Sequence, residues 1–586
     1  MKAYFKLPLQ CLVAFVLLAA LSGGGAAEAQ SSATEAPVCN TERLSSPYIN
    51  VDSWIYPAVL RLYALGYVDR IYLGIRPWTR NNLRTMTDQA GARLAADHES
   101  GRSEEGADLY NALMREVRLD AGDAACPDAR GEARLESAYS EARGVTGTAL
   151  HDSYHLGESF ANDYARPAEE GFNSYTGSSA YLNHGRFTLY ARGEFQHAPS
   201  GEGYSQTLAN QLATLDGTVN YLNTTTAIPL KDLRTIPLGP IAEADRARFL
   251  ELYASARLLN HQISFGKQDQ WLGPGLGSAM AYSNNAENIY GLEINRTEPL
   301  YVPGLSRLVG PFRYEFLVGA LKGHVYPKDP WMHVEKISMR PTENLEVGFE
   351  RSVIWGGKDH EPINLHSFLR SFFSTSSALW NTKNSNRDPG ARFAAFDVNY
   401  RLPYLRNWLT FYVDSEVHDD VSPADAPRRA AIRPGLYLAR VPGLAKLDLR
   451  AEAAMTDPSV SSSGGGRFMY FEAIERQGYT NQGQLMGDWM GREAKGGQLW
   501  LTYHLSGNEW LQLNWRGQKA AKDFIAGGTT INDWQAQIVK RIGRDFEING
   551  RFTSERWLAP IYKPGTQQLT STSLQLTWYP ERKTSF

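Results

Sequence analysis

Beyond its first residues the chain has no apolar run approaching the roughly twenty residues that a membrane-spanning helix needs. Charge imbalance is also lacking: 60 Lys and Arg stand against 63 Asp and Glu, so no basic footprint points to nucleic acid. Cysteine is scarce, at 3 residues in 586. Common enzyme signatures are missing too, with no Gly-x-Ser-x-Gly elbow, no His-Glu-x-x-His pair and no Cys-x-x-Cys. His151 and His155 lie four apart, but HDSYH reads as strand or loop, where that spacing does not put two imidazoles on one helical face. Acidic pairs such as Glu169/Glu170 read as solvated charge rather than as the opposed carboxyls of a glycosidase. The expectation is a protein that is not an enzyme and carries no metal or cofactor.

What is present starts with an export signal. Lys2 and Lys6 form a positive front, Leu12 to Leu21 an apolar middle, and Ala27-Glu28-Ala29 a small-residue cleavage site, so residues 1–29 read as a signal peptide. Cys11 falls inside it without a lipid-attachment context. Cys39 and Cys126 then remain in an oxidising compartment; a disulfide between them is the simplest expectation, and two free thiols are the alternative.

Residues 30–130 read as a helical segment. Trp54, Ile55, Ala58, Val59, Leu62 and Leu65 recur at three-to-four spacing and Gly66 supplies a C-terminal cap. A second helix starts near Thr79, and a third, from about Glu104 to Val117, sets Ala107, Tyr110, Met114 and Val117 on one side. Three helices this short bury little alone and need something larger to pack on.

From residue 131 to the end the period is two. Phe187, Leu189 and Phe195 alternate with Thr188, Arg192 and Glu194, and the pattern returns at Tyr314/Phe316, Leu345/Val347/Phe349, Leu409/Phe411, Leu447/Leu449, Leu499/Leu501, Leu511/Leu513 and Phe546/Ile548. A soluble sandwich would turn the polar face to water, whereas an outer-membrane barrel would turn it to the lumen. The export signal, the number of alternating segments, and an amphipathic last strand (Leu574, Leu576, Trp578) before a terminal Phe586 favour the barrel, with Pro580 to Ser585 as a discordant tail. At roughly 25 residues per strand and connection, residues 131–586 hold about eighteen antiparallel strands. The polar-face Arg and Glu ladders read first as mutually paired lumen residues, with polymer contact or tuning of a pore as alternatives.

One stretch, Ile263 to Arg296, combines two short alternating runs with a Gly/Pro cluster and a density of amides and aromatics. Trp271, Gln270, Asn284 and Asn285 are its candidate glycan-binding residues, because planar amides match hydroxyls and indole offers a flat apolar face with a polar handle. The plainer alternative is a long turn whose glycines supply permissive backbone angles. It is no phosphate cradle, since no Gly-Lys-Ser/Thr follows the glycines.

Three motifs resemble the Wzi family of capsule assembly proteins: SPYINVDSWIYPAVLRLYALGYV with GIRPWTR (Ser46 to Arg80), NDYARPAEEGFNSYTGSS (Asn162 to Ser179), and SFGKQDQWLGPG followed by SNNA (from Ser264). RFAAFDVNYRLP (Arg392 to Pro403) agrees further, and the resemblance runs from about residue 45 almost to the C-terminus. It implies an outer-membrane barrel of about eighteen strands, a helical plug at the periplasmic mouth, and a lectin-like role attaching capsular or extracellular polysaccharide to the cell surface. Its expected partners are that polymer and outer-membrane lipid, and Arg76, Trp78 and Arg80 are expected to lock the plug to the barrel wall. The rival reading is a porin-like channel for oligosaccharides.

Overall fold

The structure, a computed structural model, describes residues 44–99, 105–121, 131–216, 239–374, 380–383, 385–418, 430–457, 466–581 and 583–585. The expected signal peptide and both Cys39 and Cys126 lie outside the described residues.

Alternation produces strands because a pleated chain turns successive side chains to opposite faces. The barrel strands are β1 (Glu132–Thr146), β2 (Gly171–His184), β3 (Phe187–Ala198), β4 (Ala244–Leu258), β5 (His261–Lys267), β6 (Tyr290–Arg296), β7 (Phe312–Ala320), β8 (Trp331–Thr342) and β9 (Leu345–Trp355). They continue as β10 (Ala391–Arg401), β11 (Leu409–His418), β12 (Ala431–Leu438), β13 (Leu447–Met455), β14 (Ala494–Ser506), β15 (Glu509–Ala520), β16 (Thr529–Ile542), β17 (Phe546–Ala559) and β18 (Lys563–Trp578). Each pairs antiparallel with its chain neighbour, and β1 meets β18 with Ala138 opposite Trp578, so the sheet closes. Closure matters because hydrocarbon offers no partner for an open edge. The tail resolves simply: Pro580 has no N–H for the ladder, and beyond it Lys583–Ser585 resume pairing with Glu132–Arg134.

On β3 the outward Phe187, Leu189 and Phe195 are more than half exposed, while Thr188, Tyr190, Arg192 and Glu194 are buried inside. That contrast repeats at Leu501, Leu513, Phe552 and Leu574, an outward apolar belt of the kind that membrane barrels carry. Two places depart from it. Tyr314 is outward but buried, because Leu300, Val302, Leu305 and Val309 of the β6–β7 connection pack over it. His333, Glu335 and Arg351 are polar residues on the same outward side, and the helix Leu365–Phe373 folds back over them. Its Ser371 Oγ lies 2.9 Å from His333 Nε2, and Arg351 donates to the Phe372 and Ser371 carbonyls at 2.6 and 2.7 Å.

Helices α1 (Ile55–Ala64), α2 (Arg80–Glu99) and α3 (Glu105–Ala121) occupy the mouth with the short turns, the periplasmic one in such barrels. Gly66, at φ +89°, ends α1, and Tyr67 N–H donates back to Leu62 O at 2.9 Å. Arg61 reaches the carbonyls of Ala439 and Ala445 between β12 and β13, at 3.3 and 3.0 Å. On α3 the fully buried side chains are Leu109 and Leu113; of the expected stripe Tyr110 packs against the same cluster, while Ala107 and Met114 are half-buried. Leucines four apart present more apolar surface to α1 and α2 than the alanine-led stripe does.

From α1 the chain turns up into the lumen before α2. There the Glu346 carboxylate of β9 accepts the N–H groups of Leu73 and Gly74 at 2.8 and 3.1 Å. Asp69 anchors the base against Arg93, Arg401 and Arg406. Burial would raise its carboxyl, but the arginines outweigh that and hold it at about 2.

At the outer mouth the hairpin His151–Asp152/Gly157–Glu158 is pinned by His155, whose Nδ1 lies 3.0 Å from Asp152 and Nε2 3.0 Å from Asp216. Asp216, which caps helix α4 (Gln206–Leu215), also receives Arg492 at 2.7 Å. Burial lowers the His155 imidazole, yet the two carboxylates overcome this and raise it to about 9. For Asp216 burial raises the carboxyl, and Arg492 with His155 brings it down to about 2.

Two outcomes follow from these anchors. The stabilisation from His155 is complete below its unfolded value of about 6.5 and is lost as pH rises through about 9, whereas that from Asp216 is complete above about 4 and is lost as pH falls through about 2. NMR of 13C-histidine-labelled protein should therefore show one imidazole titrating near pH 9 that disappears in His155→Gln; its titration at or below pH 6.5 would refute the pin. Glu346→Ala leaves two buried N–H groups without an acceptor and should cost about 3 kcal/mol, read as a lower unfolding midpoint and new protease cleavage near Gly74, with Glu346→Gln intermediate.

Candidate functional site

The Gln268–Ile289 connection leaves the outer ends of β5 and β6 and folds inward. Its backbone is held by carboxylates on alternate strands: Met280 N–H donates to Asp414 of β11 at 2.7 Å, and Leu276 and Gly277 N–H donate to Glu452 of β13 at 2.8 and 3.1 Å. Gly277 suits that approach, since a Cβ there would sit 2.7 Å from the Trp500 ring and 2.8 Å from the Glu452 carboxylate it donates to. Arg433 completes the support with a two-pronged bond to Asp488 at 2.6 and 2.7 Å and a third to Glu452 at 2.9 Å.

Inside the barrel this connection meets the plug. Arg76 N–H donates to Trp271 O at 3.1 Å and Trp271 N–H to Arg76 O at 3.0 Å. The Arg76 guanidinium donates to the carbonyls of Pro274 and Gly275 at 3.1 and 3.2 Å and lies 5.7 Å from the Trp271 ring centre. Burial lowers Arg76 to about 10, which leaves it cationic at neutral pH. Trp78 is wholly buried, its indole donating to Tyr72 O at 3.0 Å, and Arg80 pairs with Glu136 of β1. Thus Arg80 meets the wall itself, Arg76 meets the inward connection, and Trp78 packs within the plug.

All four candidate glycan residues are buried, and none sits on the outer surface. Gln270 donates to Glu293 at 2.5 Å; Asn285 donates to Leu485 O at 3.2 Å and accepts Asn162 N–H at 2.9 Å. Trp271 and Asn284 instead line a cavity of about 540 Å³; the Trp271 Nε1 and the Asn284 Oδ1 are themselves shut away from it and have no hydrogen-bond partner among the described residues. Across from them stands an amide-rich wall from β14 to β18 that includes Gln498, Gln512, Gln535, Gln537, Asn549 and Gln575, with Arg516, Asp533, Glu547 and Arg551 among them. These groups bond one another and nearby hydroxyls, as in Gln537 to Asn549 at 3.0 Å and Gln512 to Thr502 at 2.9 Å. Asp52 with Arg192, and Asp163 with Arg143 and Arg166, add paired charge. Amides, hydroxyls and indoles in one cavity suit a polyhydroxylated ligand. Sequence reasoning missed this wall: its residues were visible only as the polar half of an alternation.

Comparison with known proteins agrees with the fold. Wzi of Escherichia coli, an outer membrane protein involved in group 1 capsule assembly and a carbohydrate-binding β-barrel, is 14% identical, with 90% of this chain and 98% of that one covered at a TM-score of 0.62. A Klebsiella pneumoniae protein, an uncharacterised 55.8 kDa protein in the cps region, is 27% identical over 173 residues. That match spans 29% of this chain and 33% of the relative, about a third of its length. The family model for capsule assembly protein Wzi matches residues 141–572, most of the chain, and the protein belongs to that family.

Proposed function

We propose that this outer-membrane barrel attaches capsular or extracellular polysaccharide to the cell surface, as a lectin and without catalysis. The observation that carries this is the filled lumen, where segments entering from opposite mouths join at Arg76 and Trp271. A filled barrel supports holding at a surface over passage through a porin-like channel. Membership of the capsule assembly family and the carbohydrate binding of E. coli Wzi support it as well.

A repeating polymer suits this mechanism, because weak amide, carboxylate and aromatic contacts add along one chain. Trp271 and Asn284 are the proposed sugar contacts: both line the cavity, where indole offers an apolar face to a sugar ring and the amide matches hydroxyl groups. Gln270 and Asn285 serve the same site from behind, holding the connection in shape through Glu293 and Leu485.

Surface retention of polymer tests the proposal. A deletion strain should release polymer from cells into the medium with total synthesis unchanged, wild type should restore retention, and Trp271→Ala should restore less than a third of it while still migrating as a folded barrel. Full retention by Trp271→Ala would move the sugar contacts elsewhere. Unchanged retention in the deletion strain together with poor growth on an oligosaccharide would put the channel in place of the lectin.

A further inference from the structure

Two outer connections, 356–390 and 456–493, meet at a cluster that the polymer site does not use. His360 Nε2 lies 2.9 Å from Asp388 Oδ2, and a carboxylate oxygen of Glu475 falls within 4.8 Å of both. The other Asp388 oxygen accepts Gly390 N–H at 2.9 Å, which fixes the side chain with Oδ2 toward His360. Glu475 is 0% exposed, Asp388 1%, and neither Glu475 oxygen has a hydrogen-bond partner among the described residues.

Neighbouring acids have their own counter-charges. Glu472 pairs with Lys383 at 2.6 Å and approaches His418 at 3.6 Å, and Glu361 pairs with Arg370. Arg476 is buried beside Glu475, yet none of its guanidinium nitrogens bonds to it. A carboxylate taken out of water without a partner is strongly disfavoured unless a proton or a cation neutralises it. Both Glu475 oxygens are shut in beside Asp388 without a partner among the described residues, so the site as built asks for positive charge.

We propose that His360, Asp388 and Glu475 bind a divalent transition-metal cation, zinc foremost, that ties the two outer connections together. One imidazole nitrogen and two carboxylate oxygens form a set that zinc accepts in tetrahedral geometry with water as the fourth ligand, whereas calcium and magnesium favour oxygen alone. With metal–ligand bonds near 2 Å the three atoms stand roughly 3.3 Å apart, so His360 and Asp388 open slightly from 2.9 Å while the Glu475 oxygen closes in from within 4.8 Å. The His360–Asp388 hydrogen bond gives way to two bonds to the ion, and the Glu475 carboxylate gains the partner it lacks. The ligands come from positions 28 and 115 residues beyond His360, so no local spacing announces them. The ion is a clamp on loop geometry and takes no part in holding polymer directly.

Tag-free full-length protein in detergent, stripped with chelator and equilibrated with zinc, should retain one zinc per chain after desalting, measured by elemental mass spectrometry, and should unfold at a higher temperature than the stripped form. Calcium and magnesium should not substitute. Glu475→Gln and His360→Gln should each weaken zinc affinity at least tenfold while keeping the heat-modifiable gel mobility of a folded barrel. His197→Gln, which removes the exposed His197/Glu243/Asp245 cluster, should leave it unchanged. Wild type that retains no zinc overturns the proposal and leaves Arg476 or a proton as the neutralising group; zinc retention that survives in both variants, or is lost in His197→Gln, overturns it equally.

Discussion

The interior depends on one junction, the paired backbone bonds between Arg76 and Trp271. A barrel wide enough for eighteen strands encloses more space than its inward side chains fill, and whatever enters that space brings polar backbone with it. The plug brings residues 67–79 from one mouth and the Gln268–Ile289 connection comes from the other, and at the junction each satisfies the other. Arg76 then covers the Pro274 and Gly275 carbonyls, and Trp271 is held between that guanidinium and the cavity. Without the junction, the N–H groups that Glu346, Asp414 and Glu452 collect would have no reason to be there.

Those three carboxylates define one of two different lumen walls. On β9, β11 and β13 the inward residues carry charge and accept backbone N–H groups, so this side is where the filling segments are fixed. On β14 to β18 the inward residues are largely amides and hydroxyls that bond one another and leave the cavity beside them. Charge that meets backbone is strong and directional, which suits an anchor; neutral amides exchange partners at little cost, which suits a sliding or repeating ligand. The division lets one barrel be both rigid and receptive.

Much of this was legible in the residues. Period-two alternation announced the strands, three-to-four spacing announced the helices, and Gly66 announced the end of α1, because each of these is local. The motif resemblance to the capsule assembly family held over residues 141–572. What stayed hidden was non-local. Glu346 reads as one more lumen-facing acid, and nothing near it says that it receives the backbone of Leu73 and Gly74. His333, Glu335 and Arg351 break the apolar belt, and only the fold shows the helix Leu365–Phe373 covering them. The Gln268–Ile289 connection looked like a surface for sugar; its direction, inward to Arg76, is a property of the whole barrel. That is why Trp271 and Asn284 reach a cavity while Gln270 and Asn285 bond to protein.

Conductance tests the central claim, that the lumen is closed by segments from both mouths, most directly. Purified wild-type protein inserted in planar bilayers should give no stable single-channel current, because the plug, the inward connection and their junction leave a cavity rather than a pore. A steady, open-channel current of porin size from wild-type protein, with insertion verified, would contradict the account.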